Sequence, residues 1–409
     1  MSIARLRASA LVLCLAALLS FIFAAKPFAA PAVKSKKTEV AAQAVEPASD
    51  DEAPAVLIGF AGPLSGSAAG VGKSMLNAAQ LAVDEANQRG FRIKGKAYVL
   101  KLVMQDDHAD PRTAEYVAGY LSRMGVVGVI GHWNSAASLA AAPVYNKAGV
   151  IQISGATMST AFTGQAFPAV FRTIGNNDGA GAFAADYAVR ELKAQKIALI
   201  DDRTPFGRGF AEQFGKTAQQ AGAEVIGTYS VSDKTSDFNQ ALLDIKKKNP
   251  DAVFFGGLDW QAALMAKALR RLKIEARLIV ASGSVGLPFL MSAGPDANGT
   301  VVLEPGLPLE QMPGWKGFRQ RYNQKFDTNI DLYATFAYDA AQVLIAAMRQ
   351  ANSVEAPVVA QELHKIRFSG VSGMISFNAD GDLRDPRFSI YEVKNQQWVP
   401  VKLIGSDSR

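Results

Sequence analysis

The sequence predicts an α/β protein of two lobes, each a doubly wound parallel sheet covered on both faces by helices. Strand-like apolar runs alternate with helical segments from residue 55 onward. The alternation pauses at Phe171-Arg172-Thr173 and restarts at Lys196. The chain has 409 residues, 49% hydrophobic and 20% charged, which is enough for two buried cores.

In chain order, AVLIGFAG from Ala55 reads as a strand, 74–88 as a helix, YVLKLVMQDD as a strand and 111–123 as a helix. VVGVIG, a helix after Ser135 and VIQIS complete the first series. The strand runs are apolar on both faces, as strands of a parallel sheet buried under helices must be. The second series is KIALIDD, a helix over 212–221, AEVIGTYSV, a helix over 238–247, DAVFFGG, a helix over 262–272 and ARLIVAS. A long helix over 332–352, then GVSGMISFNADGD and FSIYEV, form a less regular part that completes both lobes.

The N-terminus differs in character. Arg5 and Arg7 precede the apolar run 10–25, and small residues with proline follow near Ala30-Pro31-Ala32. Residues 1–32 read as a signal peptide for export, the run being shorter than the roughly 20 residues of a membrane span; an uncleaved anchor is the alternative. The single cysteine, Cys14, lies in that run. The mature chain therefore has no disulfide and no thiol chemistry. Residues 33–54, rich in Ala, Pro, Lys and Glu, read as a flexible linker.

Composition removes several functions. His108, His132 and His364 are never paired at ligand spacing, so no metal is implied. A formal charge of +6 spread over the chain, without basic runs interleaved with aromatics, argues against nucleic acid. Gly72-Lys73-Ser74 imitates the end of a P-loop, but Ser67 stands where that loop needs glycine. No G-x-G-x-x-G follows the first strand and no G-x-S-x-G turn exists, so no nucleotide cofactor or nucleophilic hydrolysis is implied.

What remains is binding at the carboxyl ends of the strands. The expected rim loops are 62–72, 106–110, 131–135 and 154–159 in the first lobe, and 201–209, 256–261 and 281–286 in the second. The 131–135 turn is the most informative. VVGVIG ends in glycine, HWNS follows, and Ser135 stands where a helix N-cap belongs. Unpaired N–H groups and the positive end of the helix dipole there suit a carboxylate; a plain capped β–α connection is the alternative.

The segments SGSAAGVGKSMLNAAQLAVDEAN, QDDHADP, VIGHWNSAAS, FRTIGNND, DDRTPFGRGF, SDFNQALLDIKKKNPDAVFFGG and GVSGMISFNADGD, in that order, resemble the periplasmic branched-chain amino-acid binding proteins of ABC importers over about residues 55–400. The resemblance implies a type I periplasmic-binding fold, its lobes joined by three hinge crossings. It places lobe 1 at 55–173 and 306–378, and lobe 2 at 174–305 and 379–409, with hinges at 172–175, 304–308 and 378–382. It also implies a periplasmic location, a small-molecule ligand, a membrane permease as partner, and neither cofactor nor catalytic residue.

Carried over position by position, the family's grip on the α-carboxylate and α-ammonium falls on Ser135, flanked by Trp133 and Asn134. A second loop, usually I-S-P-S-A-T, reads Ile153, Ser154, Gly155, Ala156, Thr157, Met158, so without a gap Met158 occupies the place of a hydroxyl, and Thr157 or Ser159 is the substitute after a one-residue shift. The carboxylate is expected on Ser135 and on the Ala156 and Thr157 backbone. Phe206 and Tyr333 would wall the side-chain pocket; core packing is the alternative for both. Ser282 stands where the family usually places the acid for the ammonium, and Asp259 is the substitute within reach of the neighbouring loop. A neutral amino acid, branched-chain or similar, is the expected ligand. The alternatives are a small carboxylate or amide without the amine, or a sensor that hands its closed form to a receptor.

Overall fold

The computed structural model describes residues 53–405. The leader expected over 1–32, with Cys14, and nearly all of the expected linker lie outside them. Among the described residues no helix is long and apolar enough to cross a membrane.

The first sheet contains β1 (Ala55–Gly62), β2 (Phe91–Ile93), β3 (Lys96–Asp106), β4 (Gly128–Gly131), β5 (Ile151–Ser154) and β6 (Val170–Arg172), in the order β2-β3-β1-β4-β5-β6. All neighbours are parallel except β2 on β3. Between the strands run α1 (Ala69–Gln88), α2 (Pro111–Arg123), α3 (Ser135–Ala148) and the short α4 (Ala161–Gly164).

The chain then builds a second sheet. Its elements are α5 (Asn177–Arg190), β7 (Lys196–Asp201), α6 (Pro205–Gln220), β8 (Glu224–Ser230), α7 (Asn239–Lys246), β9 (Ala252–Gly256), α8 (Asp259–Arg271), β10 (Arg277–Val280), α9 (Leu287–Ala293) and β11 (Val301–Pro305). It returns to the first lobe for α10 (Trp315–Lys325), α11 (Leu332–Ala351), α12 (Ala356–Leu363) and a hairpin of β12 (Phe368–Ser369) and β13 (Met374–Ile375). A third crossing leads to β14 (Phe388–Lys394) and β15 (Gln397–Ile404), which close the second sheet antiparallel in the order β15-β14-β11-β10-β9-β7-β8.

Three expected helices start earlier than their apolar periodicity suggests, the 262–272 segment at Asp259. The 74–88 segment is helical from Ala69. The 212–221 segment is helical from Pro205, because the Thr204 hydroxyl accepts the Gly207 N–H at 3.0 Å and proline needs no N–H partner at the first helical position. Helix α11 is the spine of the first lobe. It lies against α1, β4 and β5 and buries 14 of its 20 residues, as a helix apolar on nearly all sides must.

The crossings are tied together by a fully buried arginine. Arg172, at the end of β6, sets its Nε 2.6 Å from Asp382 Oδ1 on the third crossing. Its Nη1 donates to Thr157 O at 2.8 Å, and its Nη2 donates to Ser159 O at 3.0 Å and Thr163 Oγ1 at 2.8 Å. Asn176, which caps α5 in the second lobe, donates to the other Asp382 oxygen at 3.1 Å. A buried charge is costly unless it is paired, and this one is ion-paired through Nε and hydrogen-bonded through both terminal nitrogens.

Candidate ligand-binding site

In each sheet the strand order reverses direction once, between β1 and β4 in the first lobe and between β7 and β9 in the second. Loops diverge there and leave room for a ligand. Ser135 follows β4, Phe206 follows β7 and Asp259 follows β9, so three of the expected residues stand at these two switch points.

Ser135 is the first residue inside α3; the cap is Asn134. Asn134 has extended backbone angles, its Oδ1 accepts the Ala137 N–H at 2.7 Å, and its Nδ2 donates to Ala109 O at 2.7 Å. The expectation that Ser135 is the cap is thereby corrected, because either of two adjacent cap-forming residues suits the position and backbone dihedrals decide between them. Ser135 gains by the change. Its hydroxyl accepts the Ser159 N–H at 3.2 Å and keeps its own proton available, and the first two N–H groups of α3 have no acceptor within the helix. Asn134→Ala is expected to cost about 1 kcal/mol in urea unfolding through the lost cap.

Gly131, just before this turn, has φ +144°, and a Cβ there would lie 2.1 Å from Ala61 O, so only glycine lets β4 approach β1 this closely. Trp133 is half-buried against the first-lobe core.

The 154–159 loop forms the second wall. The Ala156 and Thr157 N–H groups do not point to an empty site: both donate to Ser154 Oγ, at 3.2 and 2.9 Å. Thr157's hydroxyl pairs with that of Ser138, fully buried. Met158 reaches the other lobe, where Ser282 Oγ donates to its sulfur at 2.9 Å, and its carbonyl accepts the Asn177 N–H at 2.7 Å. Helices α3 and α6 also touch, so the lobes meet in this conformation.

On the second lobe, Phe206 is half-buried, edge-on to Phe210 at 6.0 Å, and its carbonyl accepts from Asn177 Nδ2 at 2.9 Å. Asp259 opens α8, and burial pushes its carboxyl up against the pull of the Trp260 N–H. Tyr333, in the first turn of α11, is 8% exposed and lies near Gly283 and Ser282. Burial holds its phenol well above the usual range, and the charges of Glu304, Asp331 and Asp259 add to this.

Two carboxylates here were not expected as site residues. Asp331 caps α11 by accepting the Tyr333 N–H at 2.9 Å; burial raises its carboxyl, and the charge of Asp259 adds to the rise. Glu304 accepts the N–H groups of Gly283, Ser284 and Val285 at 2.9–3.0 Å, and burial pushes it up to about 7 despite them. An acid just before a helix is a readable cap signal, so Asp331 was within reach of the sequence. Glu304 was not, because its partners lie some twenty residues away on another loop. Among the described residues no group of His, Cys, Asp and Glu could hold a metal ion.

A family model described as "Periplasmic binding protein" matches residues 55–397. The Leu/Ile/Val-binding protein homolog 1 of Brucella suis is 29% identical over 338 residues, 82% of this chain and 90% of its own length. A leucine-binding protein from Thermotoga maritima superposes with a TM-score of 0.79 at 24% identity, over 87% of this chain and all of that one. A branched-chain amino-acid transporter substrate-binding protein from Streptococcus pneumoniae, in complex with isoleucine, gives 0.76 at 25%, over 86% and 99%. A Rhodopseudomonas palustris solute-binding protein holding 3,4-dihydroxybenzoic acid gives 0.73 at 21%, over 86% and 98%. These relatives are solute-binding proteins, not enzymes, and this chain belongs to the periplasmic binding protein family, with the type I fold of its Leu/Ile/Val-binding members.

Proposed function

We propose that the protein captures a small neutral amino acid between its lobes, in the periplasm, and delivers it to the membrane permease of an ABC importer. Export through residues 1–32 and closure about hinges at 172–175, 304–308 and 378–382 are parts of the same proposal. The observation that carries it is the distribution of charge. The charges of Glu304, Asp331 and Asp259 all act on Tyr333, that of Asp331 acts on Glu304, and that of Asp259 acts on Asp331. Opposite in sign is the start of α3, with its free N–H groups and the Ser135 hydroxyl. A zwitterion satisfies both. Its carboxylate goes to Ser135 and its ammonium to Asp259, since Ser282 is already engaged with Met158. Ligand contact with both lobes favours the closed form and shifts the population toward it.

The test is thermal unfolding of protein unfolded and refolded to remove carried ligand. Leucine, isoleucine and valine are compared with their deaminated acids and amides. At 100 times its dissociation constant a ligand adds about 2.7 kcal/mol, a midpoint rise of roughly 5 °C. Stabilisation by the amino acids, lost in Asp259→Asn, is the expected result. Stabilisation by the acids alone defeats the proposal and favours a second one, a carboxylate without an amine. Serine at position 282, in place of the acid, supports that alternative.

A further inference from the structure

Beneath the 133–135 turn runs a line of three buried side chains that ligand capture, as described, does not use. His132 Nδ1 lies 2.6 Å from Asp107 Oδ2, and His132 Nε2 lies 3.2 Å from Tyr145 Oη; all three residues are 0% exposed. The second Asp107 oxygen accepts the Ala109 N–H at 2.8 Å. Counting protons orders the line. With Nδ1 donating to the Asp107 carboxyl, the neutral imidazole leaves Nε2 as the acceptor and the Tyr145 hydroxyl as its donor. Burial, and then the charge of Asp107, hold that phenol proton in place.

The backbone of His132 connects this line to both walls of the carboxylate site. Its carbonyl accepts from Ser154 Oγ at 2.9 Å and, more weakly, from Ser138 Oγ at 3.4 Å. Ser154 Oγ in turn holds the amides of Ala156 and Thr157, and Ser138 pairs with Thr157. The 154–159 loop thus hangs from the His132 carbonyl, while Trp133, Asn134 and Ser135 follow it directly in the chain.

We infer that Asp107, His132 and Tyr145 are positioning residues for ligand capture. The side-chain line fixes the imidazole, the imidazole fixes the peptide carbonyl, and the carbonyl sets the 154–159 loop against Ser135. In taking Ser135 as the carboxylate end of the site, this inference rests on the function proposed above. Hydrogen bonds buried in this way are stiff, because an unpaired partner is costly.

Tyr145→Phe removes a single oxygen and leaves Nε2 without a donor. In the ligand-free variant, the amide NMR signals of Ala156, Thr157 and Ser159 are expected to shift. Leucine affinity by calorimetry is expected to fall about three- to tenfold, the span of one neutral hydrogen bond. Nitrogen NMR of the wild type should show the His132 ring protonated at Nδ1. Val359→Ala, buried on α12, should lower thermal stability while leaving affinity unchanged. Two results overturn the inference: Tyr145→Phe that loses stability but moves neither the 156–159 amides nor the affinity, or a His132 ring protonated at Nε2. If the wild type does not bind leucine, or Ser135→Ala binds it unchanged, the proposed ligand end fails instead. The ligand-free amide shifts then still decide the role of the buried line.

Discussion

Methionine in place of Arg172 is expected to lower the stability of the folded protein by about 3 to 5 kcal/mol, read as a shift in urea midpoint at unchanged slope. The magnitude follows from what the change strands. Asp382 would keep only Thr163 Oγ1 and Asn176 Nδ2, the Thr157 carbonyl would lose its donor in a dry interior, and the Ser159 carbonyl would keep only the Phe162 N–H. Contact between the guanidinium and the Phe162 ring, 5.4 Å from its centroid, would go too. Burial pulls the Arg172 guanidinium below its ordinary range and the charge of Asp382 holds it up, so the pair is interdependent. Arg172→Met with Asp382→Asn should therefore cost clearly less than the sum of the two single changes. A loss under about 1 kcal/mol for Arg172→Met would show that the pair is dispensable.

The second large effect is on pH. Burial raises Glu304 from 4.5 to about 7 and Asp339 from 3.8 to about 6. A carboxyl raised by folding binds its proton more tightly in the native state than in the unfolded chain. Its contribution to stability is whole below the unfolded value and is lost as pH rises through the folded one. For Glu304 the window runs from about 4.5 to just above 7. Between pH 5 and pH 8 its share of the loss is roughly 3 kcal/mol, and Asp339 adds about 1 kcal/mol. Urea unfolding at pH 5, 6, 7 and 8 should show stability falling across the series. Glu304→Gln, which mimics the protonated acid and still accepts the 283–285 amides, should flatten most of the fall. A flat wild-type profile would mean that Glu304 ionises normally in the folded protein.

Where residues repeat with a clear period, the fold was legible. AVLIGFAG is β1 residue for residue, and the 111–123 helix matches α2 at both ends. Helix α5 left no such signal, because NDGAGAFAADYAVR has small residues and glycine on every side and its buried face is alanine rather than leucine. Helix α10, WKGFRQRYNQK, is so polar that only Trp315, Phe318 and Tyr322 mark its inner face. At the site, the loops carrying Ser135, Phe206 and Asp259 could be placed because strand ends locate them, while Phe206 itself was singled out only by the family resemblance. What stayed hidden were the partnerships between distant segments. That Ser154 takes the Ala156 and Thr157 amides, that Ser282 meets Met158, and that Glu304 pins the 283–285 loop are facts of tertiary geometry.

Helix α11 sets a schedule for the molecule. As the chain is synthesised, the strands of the first sheet are all present by Arg172, yet the helix that covers them is finished only at Ala351. The second lobe from α5 to β11 is made in between, and it too stays open until β14 and β15 arrive. Each lobe's early half must therefore persist with apolar surface uncovered until its own late segments dock, the first lobe's by Ile375 and the second's only with β14 and β15. Such late, long-range closure makes folding slow and leaves the incomplete chain prone to aggregate, which gives chaperones a natural client in the unfinished protein.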